Sequence, residues 1–350
     1  MRRIARSKRF AAAIPALALA LAVSIAPARA HQGAPAEPSQ PVFKLEKLTD
    51  RVWCLIGRGG NVGIYATGAG VVVVDDQYEN LAEGIVEQIR SLTSEPIKYL
   101  INTHYHGDHT GGNRVFIKLA EIVAHDSVRP RMLEYPATVS KVFPGLIQDI
   151  ERQMAAIPDP NDPWRAALEK DLGLAKFFVQ ESAAFKPETA APPGITFDQR
   201  LTLWPGGRPV EVLHVGPGHT DGDAMVFLRD EKVVHMGDIF FFGWVPFVDT
   251  MAGGSVAGMI RNMDEVLARV PPDTKVIPGH GPVTDLASLR RARSFLEDVR
   301  AKVKQAVERG SSRAEAVRSI RMDEYSDIKP SFRTLGNIIS AAWDELAPEH

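Results

Sequence analysis

Three histidines and an aspartate fall within six consecutive residues, His104-Tyr105-His106-Gly107-Asp108-His109, inside a run that extends from Ile101 to Gly112. So many side chains that are costly to bury do not gather for packing. Imidazoles two positions apart on extended backbone face the same side and can grip one cation. Asp108 and His109 follow on a bend, where side chains fan out and reach a neighbouring site. Upstream, Ile97 to Thr103 reads as a short buried strand, so the cluster stands at a strand end. Rigid scaffolds present chemistry on such loops. The chain must therefore build a sheet whose edge gathers further ligands.

The first thirty residues stand apart. Arg2, Arg3, Arg6, Lys8 and Arg9 precede an apolar stretch from Phe10 to Ala26, and Ala28-Arg29-Ala30 supplies small residues for cleavage. This is the pattern of a secretory signal peptide cut after Ala30. Pro15 interrupts the stretch and Pro27 stops it, which argues against a retained anchor. Lys8 stands where a twin-arginine signal has its first arginine, so ordinary secretion to the periplasm or medium is expected. Residues 1–30 hold six of the 41 basic residues and none of the 43 acidic ones, so the mature chain carries about −8. That balance, with export, argues against a nucleic-acid partner. No later apolar run is long enough to span a bilayer. The expected partner is a small-molecule substrate; nothing fixes the oligomeric state. Cys54 is the single cysteine, so no internal disulfide forms, and in Val52-Trp-Cys-Leu-Ile56 it reads as a small buried hydrophobe.

After a Pro- and Ala-rich lead-in, 31–42, expected to be disordered, the main body spans 43–285 and a C-terminal helical part spans 286–350. Strand-like runs lie at Arg51–Arg58, Asn61–Thr67 and Gly70–Asp75, then a helix at Glu79–Leu92. Glu121–His125 reads as a strand, and a helical insertion fills about 126–190, with prolines marking breaks. Strands resume at Arg200–Trp204, Pro209–Val215, Ala224–Leu228, Lys232–Met236 and Thr274–Ile277. Ser255 is placed to cap a helix over Val256–Val270. Three helices, broken near Gly310 and Pro330, are expected to pack on the same body. Two strand-rich runs, each followed by helices, predict an α/β fold of two packed sheets with helices outside.

The cluster does not complete a site alone. His219, in Val215-Gly-Pro-Gly-His-Thr-Asp-Gly-Asp223, follows a strand; so do Asp238, in Val233-Val-His-Met-Gly-Asp238, and His280, in Val276-Ile-Pro-Gly-His-Gly-Pro282. Each is a ligand-type side chain directly behind a glycine. His125, His214 and His235 sit in or beside apolar runs and read as hydrogen-bonded core histidines, while His31 and His350 lie at chain ends. Tyr105 points away from its histidine neighbours, which favours a structural role.

With these residues in place, the chain closely resembles the metallo-β-lactamase superfamily over about residues 45–285. The resemblance implies a four-layer αββα sandwich with the site on one edge and extra C-terminal helices. It implies two zinc ions, the first on His104, His106 and His219, the second on Asp108, His109 and His280, with Asp238 bridging both. Iron or manganese suits the same ligands. A hydroxide shared by the two cations would attack a carbonyl carbon, with Asp108 orienting it or relaying its proton. Asp75 resembles the family's carboxylate behind the ligands, there to accept an imidazole N–H; Asp76 is the neighbouring alternative.

The substrate is narrowed by a departure. Many lactamases place cysteine or serine where Asp238 stands, and offer a cation to the antibiotic's carboxylate in the loop that follows. Here Ile239 to Ile260 contains no Lys or Arg, and Ile239-Phe-Phe-Phe-Gly-Trp-Val-Pro-Phe247 is apolar. Part of it, with Trp244 and Phe247, is expected to wall the site; the alternative is that these aromatics fill core. The expected activity is hydrolysis of a small cyclic amide or ester, with weak or promiscuous β-lactamase activity. The alternatives are a lactonase, a glyoxalase II-like thioesterase, or a metal-binding protein without catalysis.

Overall fold

The computed structural model describes residues 43–184, 190–330 and 333–347. The signal peptide expected over 1–30, the lead-in 31–42, His31 and His350 lie outside them. One sheet runs in the order β1 (Lys44–Lys47), β2 (Val52–Ile56), β3 (Val62–Ala66), β4 (Val71–Val74), β5 (Ile97–Ile101), β6 (Glu121–His125) and β7 (Ile195–Phe197). It is antiparallel from β1 to β4 and parallel from β4 to β7. The second sheet comprises β8 (Arg200–Leu203), β9 (Val210–Leu213), β10 (Met225–Leu228), β11 (Val233–His235), β12 (Lys275–Ile277) and β13 (Thr284–Asp285). Its spatial order is β13-β12-β11-β10-β9-β8, with only β11 and β12 parallel.

The layers follow from which residues each strand turns inward. Between the sheets, Val52, Cys54, Val72, Val74 and Ile101 of the first meet Val210, Val212, Val226 and Ile277 of the second. The opposite face of the first sheet (Leu55, Ile64, Val73, Leu100) is covered by α1 (Glu79–Leu92) through Leu81, Ile85 and Ile89. The opposite face of the second sheet is covered by α6 (Val256–Arg269), α7 (Leu286–Glu308), α8 (Arg313–Ser319) and α9 (Leu335–Leu346). Val71–Val74 is buried throughout, as a strand covered on both faces must be. The result is an αββα sandwich. Cys54 lies fully buried between the sheets, and burial pushes its thiol far above the ordinary range.

Two single turns, α2 (Gly107–Thr110) and α3 (Asn113–Phe116), follow β5. The insertion is a helical hairpin, α4 (Val128–Ala155) and α5 (Pro163–Ala184). Here one expectation is corrected: Pro136 and Pro144 lie inside α4 rather than breaking it. Each costs one backbone bond and favours a bend without ending the helix. The break falls instead at residues 156–162, around Pro158 and Pro160. Ser255 caps α6 by accepting from the Gly258 N–H at 3.0 Å, as its position predicts. Among the described residues no helix is long and apolar enough to cross a membrane.

Candidate metal centre

The loop leaving β5 carries four of the seven predicted ligands. Its backbone is a series of bends rather than extended, and Asp108 and His109 sit on α2. His104 and His106 still converge, because they present different ring nitrogens. His104 Nε2 and His219 Nε2 lie 3.1 and 2.9 Å from His106 Nδ1. Asp238, on the turn after β11, puts Oδ2 3.5 Å from His219 Nε2 and 3.9 Å from His104 Nε2. Its other oxygen, Oδ1, lies 3.2 Å from His109 Nε2 and 3.4 Å from His280 Nε2. Asp108 Oδ2 completes that side, 3.3 Å from His280 Nε2 and 3.7 Å from His109 Nε2. All seven side chains thus meet in one buried centre, and Asp238 faces both halves.

This donor set fits a divalent metal. Donors bound at about 2.0–2.1 Å around a tetrahedral cation lie roughly 3.3 Å apart, inside the range of 2.9 to 3.9 Å found here. A ring nitrogen carries one proton or one lone pair, so His106 Nδ1 cannot satisfy two facing ring nitrogens at once. His109 Nε2 and Asp238 Oδ1 are buried with no hydrogen-bond partner among the described residues. A cation in each half would satisfy them together.

The groups behind the ligands fix the rings. Asp75 accepts from the His109 Nδ1–H at 2.7 Å, from the Thr103 N–H at 2.7 Å and from the Thr103 hydroxyl at 2.8 Å. The Asp76 carboxylate instead accepts from the Gly112 N–H, and its backbone N–H donates to the His109 carbonyl at 3.2 Å. The Phe247 carbonyl accepts from His219 Nδ1–H at 2.9 Å. Asp249 is a residue that sequence reasoning misses: its Oδ2 lies 3.1 Å from His106 Nε2 and accepts from the Tyr105 hydroxyl at 2.6 Å. A signal exists, since Asp249 is the only charged residue between Ile239 and Ile260. Tyr105 does not turn away as expected: it lines the cavity with its ring centre 4.5 Å from that of His106, and its hydroxyl buttresses Asp249. His125, His214 and His235 lie outside the centre: His235 Nε2 pairs with the Asn61 carbonyl, and His125 stacks on His214 with ring centres 3.8 Å apart.

The two halves differ electrostatically in the metal-free chain. Burial depresses His104 well below the usual imidazole range and His219 to about 4. Burial opposes protonation of His109 and His280 too, but there the carboxylates win. Asp238, Asp108 and Asp75 raise His109 well above its ordinary value, and Asp238 and Asp108 raise His280 to about 9. Burial would raise Asp108 and Asp238; the facing histidines hold Asp108 at about 2 and Asp238 well below the carboxylate range.

The centre opens to a cavity of about 1240 Å³. Phe247 stacks on His106 with ring centres 5.9 Å apart, Phe241 stacks on His280 at 5.3 Å, and Trp244 stands at the mouth, 37% exposed. Trp244 and Phe247 both line the cavity. The aromatic run therefore divides: Ile239, Phe240, Phe241 and Val245 fill core with Phe242 packed against them, while Trp244 and Phe247 line the cavity.

Residues 55–280 match the model of the metallo-beta-lactamase superfamily. A beta-lactamase-like protein 2 homolog of Caenorhabditis elegans is 25% identical over 255 residues, covering 70% of this chain and 66% of that protein. The chain spans less than two thirds of the length of the curated relatives it matches. Among solved structures, a metallo-beta-lactamase from Pontibacter korlensis shares the fold at TM-score 0.51 and 18% identity, covering 73% of this chain and 99% of its own. The stereoselective inverting sec-alkylsulfatase from Pseudomonas sp. shares it at TM-score 0.61 and 15% identity, covering 87% of this chain and 50% of its own. The αββα layers, the strand-end donors in their order along the chain, and the matched span agree: this chain belongs to the metallo-beta-lactamase superfamily.

Proposed function

We propose that the chain is a dinuclear zinc-dependent hydrolase attacking the carbonyl of a small cyclic amide or ester, and that it turns over β-lactams weakly. The observation that carries the reading is Asp238, whose two oxygens face two groups of donors at the floor of one cavity. His104, His106 and His219 would hold one zinc, Asp108, His109 and His280 the other, and Asp238 both. Zinc bound there supplies an activated water nucleophile at neutral pH and polarises the scissile carbonyl. Asp75, Asp249 and the Phe247 carbonyl keep the imidazoles oriented. Asp108 is ionised at neutral pH and partly open to the cavity, so it can accept a hydrogen bond from the attacking water. Lactonase or thioesterase activity is the second reading, supported by the lack of any Lys or Arg from Ile239 to Ile260. We also propose that the chain is exported and begins at His31 when mature; the mass of protein recovered from the periplasmic fraction checks this.

The purified chain, with its metal content measured, should hydrolyse at least one of nitrocefin, a carbapenem, an acyl-homoserine lactone and an acyl thioester. No turnover of any of them with two metals bound would leave a metal-binding protein without catalysis. Asp108→Ala is expected to lower kcat by about 10²–10⁴-fold with the circular dichroism spectrum unchanged. A near-normal rate in that variant would remove Asp108 from the chemistry.

A further inference from the structure

The cavity has a second wall that the family's metal ligands do not account for. Opposite Trp244 and Phe247, the hairpin α4–α5 contributes Val139, Leu174, Phe177 and Phe178. Phe178 stands with its ring centre 6.0 Å from that of His106, and Phe177 beside it is left 43% exposed. These four side chains carry no donor or acceptor; the hairpin's polar lining is Arg131, which is paired with Asp221, and Ser182. Leu174, Phe178 and Phe247 also line a neighbouring cavity of about 340 Å³, whose other walls carry Asp171, Asp249, Arg313 and Arg333, so the apolar surface is confined to the main cavity. At about 1240 Å³ the main cavity exceeds the roughly 300–1,000 Å³ that encloses a drug-sized molecule.

The hairpin is bolted in place from a distance. Asp171 of α5 pairs with Arg333, Asn337 of α9 donates to the Ala167 carbonyl and to Asp171 at 3.0 Å each, and Arg318 of α8 pairs with Asp162 at 2.7 Å. Through these bonds the C-terminal helices hold the wall over the site.

We infer that the substrate carries a long apolar chain, acyl or alkyl, that lies between the Trp244–Phe247 stretch and the hairpin while its scissile carbonyl sits over the metal centre. The inference rests on the hydrolase reading above and names its substrate class. A compact substrate leaves this wall uncovered, whereas a chain covers it; Lys44, Arg58, Arg114 and Arg131 also line the cavity and can meet a polar head group.

The test is a series of p-nitrophenyl esters from acetyl to dodecanoyl on the metal-loaded protein. A second arm is the binding of dansyl-labelled undecanoic acid to chelator-treated protein, followed by fluorescence. The ratio kcat/KM should climb with each added methylene, by up to about fourfold at the full transfer value. The probe should be displaced by dodecanoate and not by acetate. In Leu174→Gln/Phe177→Ser the dodecanoyl-to-acetyl ratio and the probe affinity should both drop about tenfold or more; if that variant does not fold, the wild-type series and displacement decide. Flat kcat/KM across the series with the acetyl ester turned over would overturn the inference and leave the hydrolase reading standing. Probe binding with chain-selective displacement, but no turnover of any ester with two metals bound, would uphold the cleft and sink the hydrolase.

Discussion

Asp75 sits at φ 62°, in the left-handed region that a non-glycine residue seldom occupies. The three hydrogen bonds its carboxylate accepts over-determine that backbone, which is how such strain persists beside a site. Asp75→Asn keeps the shape, but its amide nitrogen must then face a donor. Metal affinity is expected to fall about 10–100-fold, measured by competition with a chromophoric chelator. Unchanged affinity would mean that the carboxylate orients nothing. At this scale the sequence is readable wherever a costly side chain stands in a telling place: all seven donors lie behind strands, and the strand-end position of Asp75 points to it. Asp249 escapes because its partners, Tyr105 and His106, lie some 140 positions away, and no local pattern encodes that meeting.

The strand-end turns explain why the later ligands each follow a glycine. A side chain at Gly279 would place its Cβ 2.0 Å from Asp238 Oδ1, and at Gly237, with φ 51°, 2.6 Å from Thr103 Oγ1. Backbone must approach that closely for β11 and β12 to deliver Asp238 and His280 to one point. Gly279→Ala should therefore displace the Asp238 carboxylate and, on the proposed reading, leave the purified protein with fewer than two metals per chain. Elemental analysis returning two, held with normal affinity, would contradict this. Elements of five or more residues with a clear period are legible, and α1 and β6 fall where the pattern puts them. The strands β1 (Lys-Leu-Glu-Lys) and β13 (Thr-Asp) escape because they carry no apolar run, and β7 is three residues standing alone after the insertion. The hairpin is legible as helix, but its placement over the site depends on bonds to helices some 160 residues away.

Across the whole molecule, the metal centre ties the two sheets together. His104, His106, Asp108 and His109 follow the first sheet's β5, while His219, Asp238 and His280 follow strands of the second. A metal bound there would stabilise the tertiary structure, by about 2.7 kcal/mol at a hundredfold excess over Kd. The two halves should empty at different pH. His280, held at about 9, and His109, raised well above its ordinary value, carry protons at neutral pH that a cation must displace, so affinity there weakens as pH falls below 9. His104, depressed, and His219, at about 4, are neutral down to mildly acidic pH and stay ready to ligate. Dialysis from pH 8 to 5.5 should leave about one metal per chain and a lower Tm; loss of both metals in a single step would refute the asymmetry. The borders of the sandwich have a different consequence. β1 presents Lys44, Glu46 and Lys47, β8 opens on Arg200, and β7 and β13 are too short to template a partner. Among the described residues a stray extended segment from another molecule finds no long apolar rim to zip onto, which guards these sheet edges against fibril growth at high concentration.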